Sequence, residues 1–468
     1  MATSLSSSFD ELRAESISFG VSADTPQAEE TGRYIITYRP EANTEAMRSL
    51  SDTAGLRVAN AKDYSDSAVS FGALGSADAL VLPEVGIAVV AGEPDQVERL
   101  GVRAAEDSGI LAIEPERFVY AISSPALGRQ EDEDSRDNNG LGLSAAAANY
   151  LRGYRDALDH LTESLLGKGG VTSGPLEMSP AAFAETMFTW GLQATRVNVS
   201  TRSGKNIRVC VLDTGCDMNH PDLASRPKSS NSFVPNQTVQ DGHGHGTHCI
   251  GTACGPKDPQ VKPRYGVAYE ALIYAGKVLN NQGSGTDGWI LAGINWAIAN
   301  NCPVISMSLG RGANPGDPFP VAYEAAAKAG LKAGCLIVAA AGNESNRSQG
   351  VVKPVGHPAS CPSIMAVGAL DSNFKVANFS NRTINANGGV VDIAGPGVAI
   401  RSTWPKPQLY NTISGTSMAT PHVAGIAALY AQSSASLRGL ALWKKLTQSA
   451  RNITTIVKVD DGAGLVQA

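Results

Sequence analysis

The sequence predicts an α/β protein: a mainly parallel sheet with helices on both faces, preceded by a small α+β domain of the split-βαβ kind. Three observations carry this. From about residue 184, short β-branched runs alternate with longer helical patterns. Those runs are continuously apolar, as strands buried on both faces are. Further upstream, residues 33–122 place alternating strand patterns around a segment of helical period.

The elements follow in order. Residues 1–30 are polar and rich in Ser and Glu, which suits a loose tail. RYIITYRP (33–40) alternates like a strand until Pro40 stops it. Residues 41–55 read as helical, VGIAVVA (85–91) as a strand, and Pro94 to Asp107 as a helix with Val97, Leu100 and Ala104 on one face. GILAIEPERFVYAI (109–122) closes this small domain, 31–122, as a strand. RQEDEDSRDNNG (129–140) is too acidic to fold by itself. A helix follows, with Leu151, Tyr154, Leu158, Leu161 and Leu165 on one stripe, until GKGGVTSG ends it. These make a linker with an extra helix over 123–183. The large domain, 184–468, holds strands at IRVCVLD (207–213), ALIYAGKVL (271–279), PVISMSLG (303–310) and CLIVAAAG (335–342). Residues 285–301 and 319–334 are the helices between them.

Composition narrows the function. The chain has 468 residues, 43% hydrophobic and 18% charged, with a net charge of −6. Its basic residues form no block, which argues against nucleic acid or an anionic membrane as partner. No apolar run reaches the roughly 20 residues of a membrane span. The N-terminal stretch lacks the basic and apolar regions of a signal peptide, so the expected compartment is the cytoplasm, with signal-independent export left open. The 7 cysteines, an odd number, do not suggest a disulfide framework.

Three segments carry chemistry: VCVLDTGCDMNHPDL around Asp213, GHGHGTHCIGT around His245 and SGTSMATPHVAG around Ser417. Asp213 ends an apolar strand, at the sheet edge where α/β proteins place their sites. A lone DTG would be an ordinary turn. His243, His245 and His248 lie close together, but not at the i, i+4 spacing of zinc ligands on a helix. Ser417 stands where a loop enters an apolar helix, whose free N–H groups can stabilise a developing oxyanion. A serine oxygen becomes nucleophilic when a histidine takes its proton and a buried carboxylate orients that histidine. VAAAGNES (338–345) adds Asn343, an amide donor just past a strand.

Together these motifs resemble the subtilisin-type serine peptidases, the subtilases, over about 184–467. The likeness is greatest to the proteinase K-like branch, through HGTHC and the PAS-x-PS segment. The resemblance implies a serine endopeptidase in which Asp213, His245 and Ser417 form the triad and Asn343 is the side-chain oxyanion donor. His248 would pack inside its helix and His243 would sit on the rim. The resemblance also implies an extended protein or peptide substrate between two edges, Ser308, Leu309 and Gly310 on one side and Gly283, Ser284 and Gly285 on the other. Ala341 and Gly342 would wall the S1 pocket and Ala359 would floor it. At the S4 rim, where subtilases often carry an aromatic residue, this chain has Asp287. It would either favour a basic residue four positions before the cut or be a solvated aspartate at a helix start. The metal implied is a structural Ca2+ on the carbonyls of Pro362 and Ile364 and the carboxylate of Asp392, with no cofactor for catalysis. The Asn-rich calcium loop of subtilisins is not recognisable after Cys254. Cys249, beside the base, would be a free buried thiol open to mercurials. Residues 33–122 resemble the family's prodomain, a folding chaperone and inhibitor whose end, around FVYAI, would occupy the groove. The cut would fall near Tyr120–Ser124 or in the acidic linker. The extra segment 123–183 departs from the family pattern. The expected protein is a monomeric zymogen. A maturation peptidase dedicated to one partner or leader peptide is the alternative enzyme, and an inactive scaffold the alternative outside catalysis.

Overall fold

The computed structural model describes residues 29–40, 50–91 apart from 53, 66–67, 70, 72–73 and 75, then Gln96, 109–122 and 183–468. Most of the expected helices at 41–55 and 94–107, and all of that at 145–166, lie outside the described residues.

The small domain is built on β1 (Glu30–Tyr38), β2 (Val58–Asn60), β3 (Ala79–Leu82), β4 (Ile87–Val90) and β5 (Ile110–Ala121). Their order in the sheet is β5-β1-β4-β3-β2. β1 is central and antiparallel to both β4 and β5, with Ile36 opposite Ala88 and Ile113. Alternation gives each face its own core. Ile36, Tyr38, Val81, Ala88 and Val90 pack with Leu50, Ala54 and Leu56. Ile35, Leu80, Leu82, Val89 and Val119 point the other way and join the core of the large domain.

The large domain runs α1 (Trp190–Ala194), β6 (Arg208–Asp213), β7 (Pro227–Ser232), α2 (His245–Cys254), β8 (Leu272–Lys277), β9 (Ser284–Thr286), α3 (Asp287–Ala299), β10 (Val304–Met307), β11 (Leu309–Gly310), α4 (Val321–Lys332), β12 (Leu336–Ala340), β13 (Met365–Leu370), β14 (Ile393–Pro396), β15 (Ile400–Thr403), β16 (Tyr410–Ile413), α5 (Thr416–Ser433), α6 (Gly439–Ser449) and α7 (Lys458–Asp461). Its main sheet is β14-β13-β12-β10-β6-β8-β7, parallel throughout. Both faces are buried, which is why its inner strands read as unbroken apolar runs. Val209, Val211, Ile273, Val304 and Val338 face the layer of α2 and α5. Cys210, Leu212, Ile305, Met307 and Ile337 face α3 and α4. β7, PKSSNS, is polar and begins with proline, as an edge strand can be.

The two domains are joined by β5. Beyond its pairing with β1 it runs between β9 and β11, antiparallel to each: Val119 lies opposite Gly285, Tyr120 opposite Ser284 and Gly310, and Ala121 opposite Leu309. Two β5 glutamates meet helix N-termini, where unpaired N–H groups and the helix dipole favour anions. Glu114 accepts from Val321 N (3.0 Å) and Ala322 N (2.8 Å) at the start of α4. Glu116 accepts from Gly288 N (2.9 Å) at the start of α3, and from Arg33 Nε (2.6 Å) and Nη2 (2.8 Å) of β1.

Candidate active site

Asp213 is the last residue of β6, and His245 opens α2 above it. Asp213 Oδ1 lies 2.8 Å from His245 Nδ1, and each side chain is 1% exposed. Thr214 N also donates to Asp213 Oδ1. The close fit depends on glycine at 246: a Cβ there would come 2.3 Å from Gly215 O. Gly244, which caps the helix, takes φ +106°, a conformation that side chains resist.

Asp241 ties these two motifs together and was not singled out from the sequence. Its Oδ1 accepts from Thr214 Oγ1, His243 N and Gly244 N, and its Oδ2 from Thr247 N and Oγ1, all within 2.7–2.9 Å. A short acidic side chain four residues before His245 was the available signal, because such residues satisfy the free N–H groups of a helix start. Lys277 is a second unanticipated contributor. It is fully buried, and its Nζ donates to Thr214 O and, at 2.9 Å, to Asn281 Oδ1.

Ser417 is the second residue of α5. Pro421 follows inside the helix and has no N–H to give back to Ser417 O. That carbonyl accepts instead from Ser308 Oγ (2.8 Å) and Cys249 Sγ (3.6 Å). Ser417 Oγ is 2.5 Å from Ile122 O and 3.2 Å from Ser308 O. The same Ile122 oxygen accepts from Asn343 Nδ2 at 3.1 Å. Thr416 fixes this amide, since its N and Oγ1 both donate to Asn343 Oδ1, at 2.9 and 2.8 Å. The Ser417 N–H makes no hydrogen bond to Ile122 O among the described backbone bonds. His245 Nε2 is buried without a partner, so the Ser417 hydroxyl points to the carbonyl and not to the imidazole.

Burial by itself disfavours a charged His245, but the Asp213 carboxylate outweighs it and holds its pKa well above the ordinary histidine range. Cys249 Sγ lies 3.9 Å from His245 Nδ1, and burial pushes its thiol up. All 7 cysteines are buried and free. His248 is buried inside α2 with Nε2 2.9 Å from Ile400 O, and His243 is half-buried beside Gly283. Each of the two has its pKa lowered, in the first place by burial.

The groove residues lie along the end of β5. Ile122 N donates to Ser308 O (3.4 Å) and Ala121 N to Gly283 O (2.7 Å), and β9 and β11 supply Ser284, Gly285, Leu309 and Gly310. A Cβ on Gly310 would stand 2.5 Å from His357 O and 2.9 Å from Ile122 Cδ1, so the missing side chain makes room for both. Ala341 and Ala359 are buried in the same apolar cluster as Leu309, and Gly342 N donates to Thr416 Oγ1. Asp287 is neither solvated nor open to a basic side chain, and this corrects both sequence readings of it. It is 5% exposed, and its Oδ1 accepts from Arg311 Nη1 and Tyr323 Oη, each at 2.9 Å.

The sequence 204–464 matches the model of the subtilase family. The chain belongs to the subtilase family. It is 43% identical over 240 residues to Subtilisin E of Bacillus subtilis (strain 168), covering 51% of this chain and 58% of that protein. It is 38% identical over 263 residues to Subtilisin DY of Bacillus licheniformis, covering 56% of this chain and 90% of that protein. It is 37% identical over 270 residues to the cuticle-degrading protease of Metarhizium anisopliae, covering 56% of this chain and 63% of that protein. The chain thus spans little more than half the length of several of the curated relatives it matches.

The calcium ligands expected of this subtilase suit a hard cation in donor type, a carboxylate with two main-chain carbonyls. Asp392 accepts one hydrogen bond, from Ala366 N at 2.8 Å, and has no basic partner among the described ion pairs. Burial pushes its carboxyl up to about 7, the behaviour of a carboxylate lacking a compensating charge. No described helix is long and apolar enough to cross a membrane.

Proposed function

We propose that the chain is a serine endopeptidase made as a zymogen, with residues 31–122 as an inhibitory prodomain that ends in the groove of the catalytic domain. One observation carries the proposal: the Ile122 carbonyl oxygen lies between Ser417 Oγ and Asn343 Nδ2, beside the Asp213–His245 pair. A reacting carbonyl would sit at that spot. Ser417 Oγ bonds to the carbonyl carbon while His245 Nε2 takes its proton. Asn343 holds the oxygen as it becomes negative, and Asp213 steadies the imidazolium. The C–N bond then breaks, with the proton passing from His245 to the leaving amine, and water releases the acyl group. Applied to the chain itself, this cuts Ile122–Ser123 and leaves the new C-terminus in place as inhibitor.

Pairing of the substrate main chain with β9 and β11 reads shape more than sequence, which favours a broad endopeptidase. The dedicated maturation peptidase loses one of its two supports, because the charge of Asp287 is matched by Arg311. Asp392 with Pro362 and Ile364 would hold a structural Ca2+ away from the chemistry.

The intact masses of wild type and Ser417→Ala test the proposal. Wild type is expected to separate into fragments meeting between Ile122 and Ser123, and Ser417→Ala to keep that bond. Cleavage there in the Ser417→Ala protein, or none in either, counts against it.

A further inference from the structure

Counting back from Ile122, Ala121 is the second residue of the inserted strand, Tyr120 the third, Val119 the fourth, Phe118 the fifth and Arg117 the sixth. The two edges that hold this strand are separate as far as β9 and β11. Just past their ends they meet. Asp287 follows β9 and Arg311 follows β11, and their side chains pair at 2.9 Å, 7% and 9% exposed. Tyr323 Oη donates to the same oxygen that Arg311 reaches. The other oxygen, Asp287 Oδ2, accepts the main-chain N–H of Arg117 at 3.0 Å. Val119 is fully buried and shares its apolar cluster with Ile290, Leu309 and Tyr323. Beside the ion pair is a cavity of about 170 Å3, bounded by Phe319 and His357 and lined also by Arg117.

We infer that Asp287, held by Arg311 and Tyr323, is a specificity-determining residue that binds the main-chain N–H of the sixth residue on the acyl side of the cut. This rests on the peptidase reading above. The ion pair cancels the charge that would attract a basic residue at the fourth position, leaving a closed apolar site for an aliphatic one such as Val119. The cavity beside the pair accommodates varied side chains at the sixth position, so the backbone is read there and the side chain is not. Preferred substrates are therefore extended peptides with at least six residues before the cut, an aliphatic fourth residue, and no proline at the sixth.

The test uses processed wild-type enzyme and four fluorogenic peptides alike after the cut. Three carry Val at the fourth position and either end at an acetylated fifth residue or continue to Ala or Pro at the sixth. The other has Arg at the fourth position and Ala at the sixth. A hydrogen bond to a carboxylate predicts that Ala at the sixth position raises kcat/KM roughly tenfold over the five-residue peptide, and that Pro abolishes the gain. Arg at the fourth position should be cleaved more slowly than Val. Asp287→Ala should level Ala and Pro at the sixth position, with fluorophosphonate labelling of Ser417 as the check on folding. The Ala–Pro comparison in wild type stands even if that variant does not fold. Equal cleavage of the Ala and Pro peptides by wild type, or faster cleavage with Arg at the fourth position, overturns the inference while leaving a peptidase. Cleavage of none of the four overturns the peptidase reading and the inference with it.

Discussion

Replacing Glu116 by Ala should loosen the hold of the prodomain on the catalytic domain. Glu116 is completely buried, and its carboxylate ties β5 to two further elements: β1 through Thr31 and Arg33, and the N-terminus of α3 through Gly288 N. Thr31 and Arg33 belong to the prodomain, as Glu116 does, so their bonds to it persist when the prodomain leaves and add nothing to its affinity. Across the interface, a buried carboxylate on a helix N-terminus contributes up to about 2 kcal/mol. Removing it also leaves the Gly288 N–H unpaired at a dry interface, at a cost of about 1 kcal/mol. The total is about 1–3 kcal/mol, or roughly 5-fold to 150-fold in the dissociation constant.

Dilution makes this measurable on the processed protein as it stands. With prodomain and enzyme at equal concentration, activity per mole rises once the concentration falls below the dissociation constant. The midpoint for Glu116→Ala should move to a concentration higher by the factor above, while the fully diluted proteins reach the same activity. Glu114 caps a different helix, so Glu114→Ala should add a comparable shift in the double variant. A Glu116→Ala midpoint within threefold of wild type would refute the reasoning, because it would mean that the carboxylate gains no more from the start of α3 than from water.

Two further predictions concern titration. Asp213→Asn should lower kcat/KM by about 10^4, the usual penalty for losing the orienting carboxylate. Because Asp213 holds the His245 pKa up against burial, its loss should also move the rising limb of the pH–rate profile to lower pH, and an unmoved limb would contradict that cause. Asp392 is raised to about 7, above its unfolded value, so its contribution to stability is fully present below about pH 4 and is lost as pH rises through 7. Added CaCl2 should therefore raise the unfolding temperature more at pH 8 than at pH 5, and Asp392→Asn should remove that difference. Equal gains at both pH values in wild type would count against a cation at Asp392.

What was legible in the sequence follows from how locally each feature is determined. β6, β8, β10 and β12 could be read because burial on both faces leaves a mark on every residue. The segments around Asp213, His245 and Ser417 could be read because their glycines answer to nearby backbone, as Gly246 does to Gly215. β7 could not, since an edge strand of Lys, Ser and Asn carries no apolar signal. Half of Asp241's role is local, at the start of α2, but its bond to Thr214 exists only once two distant motifs come together, as do the bonds of Thr416 to Asn343. Asp287 was misread for the same reason, its partner Arg311 standing on the opposite edge of the groove.

That misreading bears on specificity more generally. β9 and β11 are three and two residues long, and they exist as strands only through their pairing with β5 between them. Nothing in GSGT or SLG alone states which residue will close the groove, because the closing contact joins two edges that are unrelated in sequence. The catalytic groups are held by short-range fit and leave a motif. The contact just past β9 and β11 is a pair across the cleft, Asp287 with Arg311, so it needs coordinates to be seen, and on the inference above a single change at either residue would alter specificity while every motif of the family stays intact.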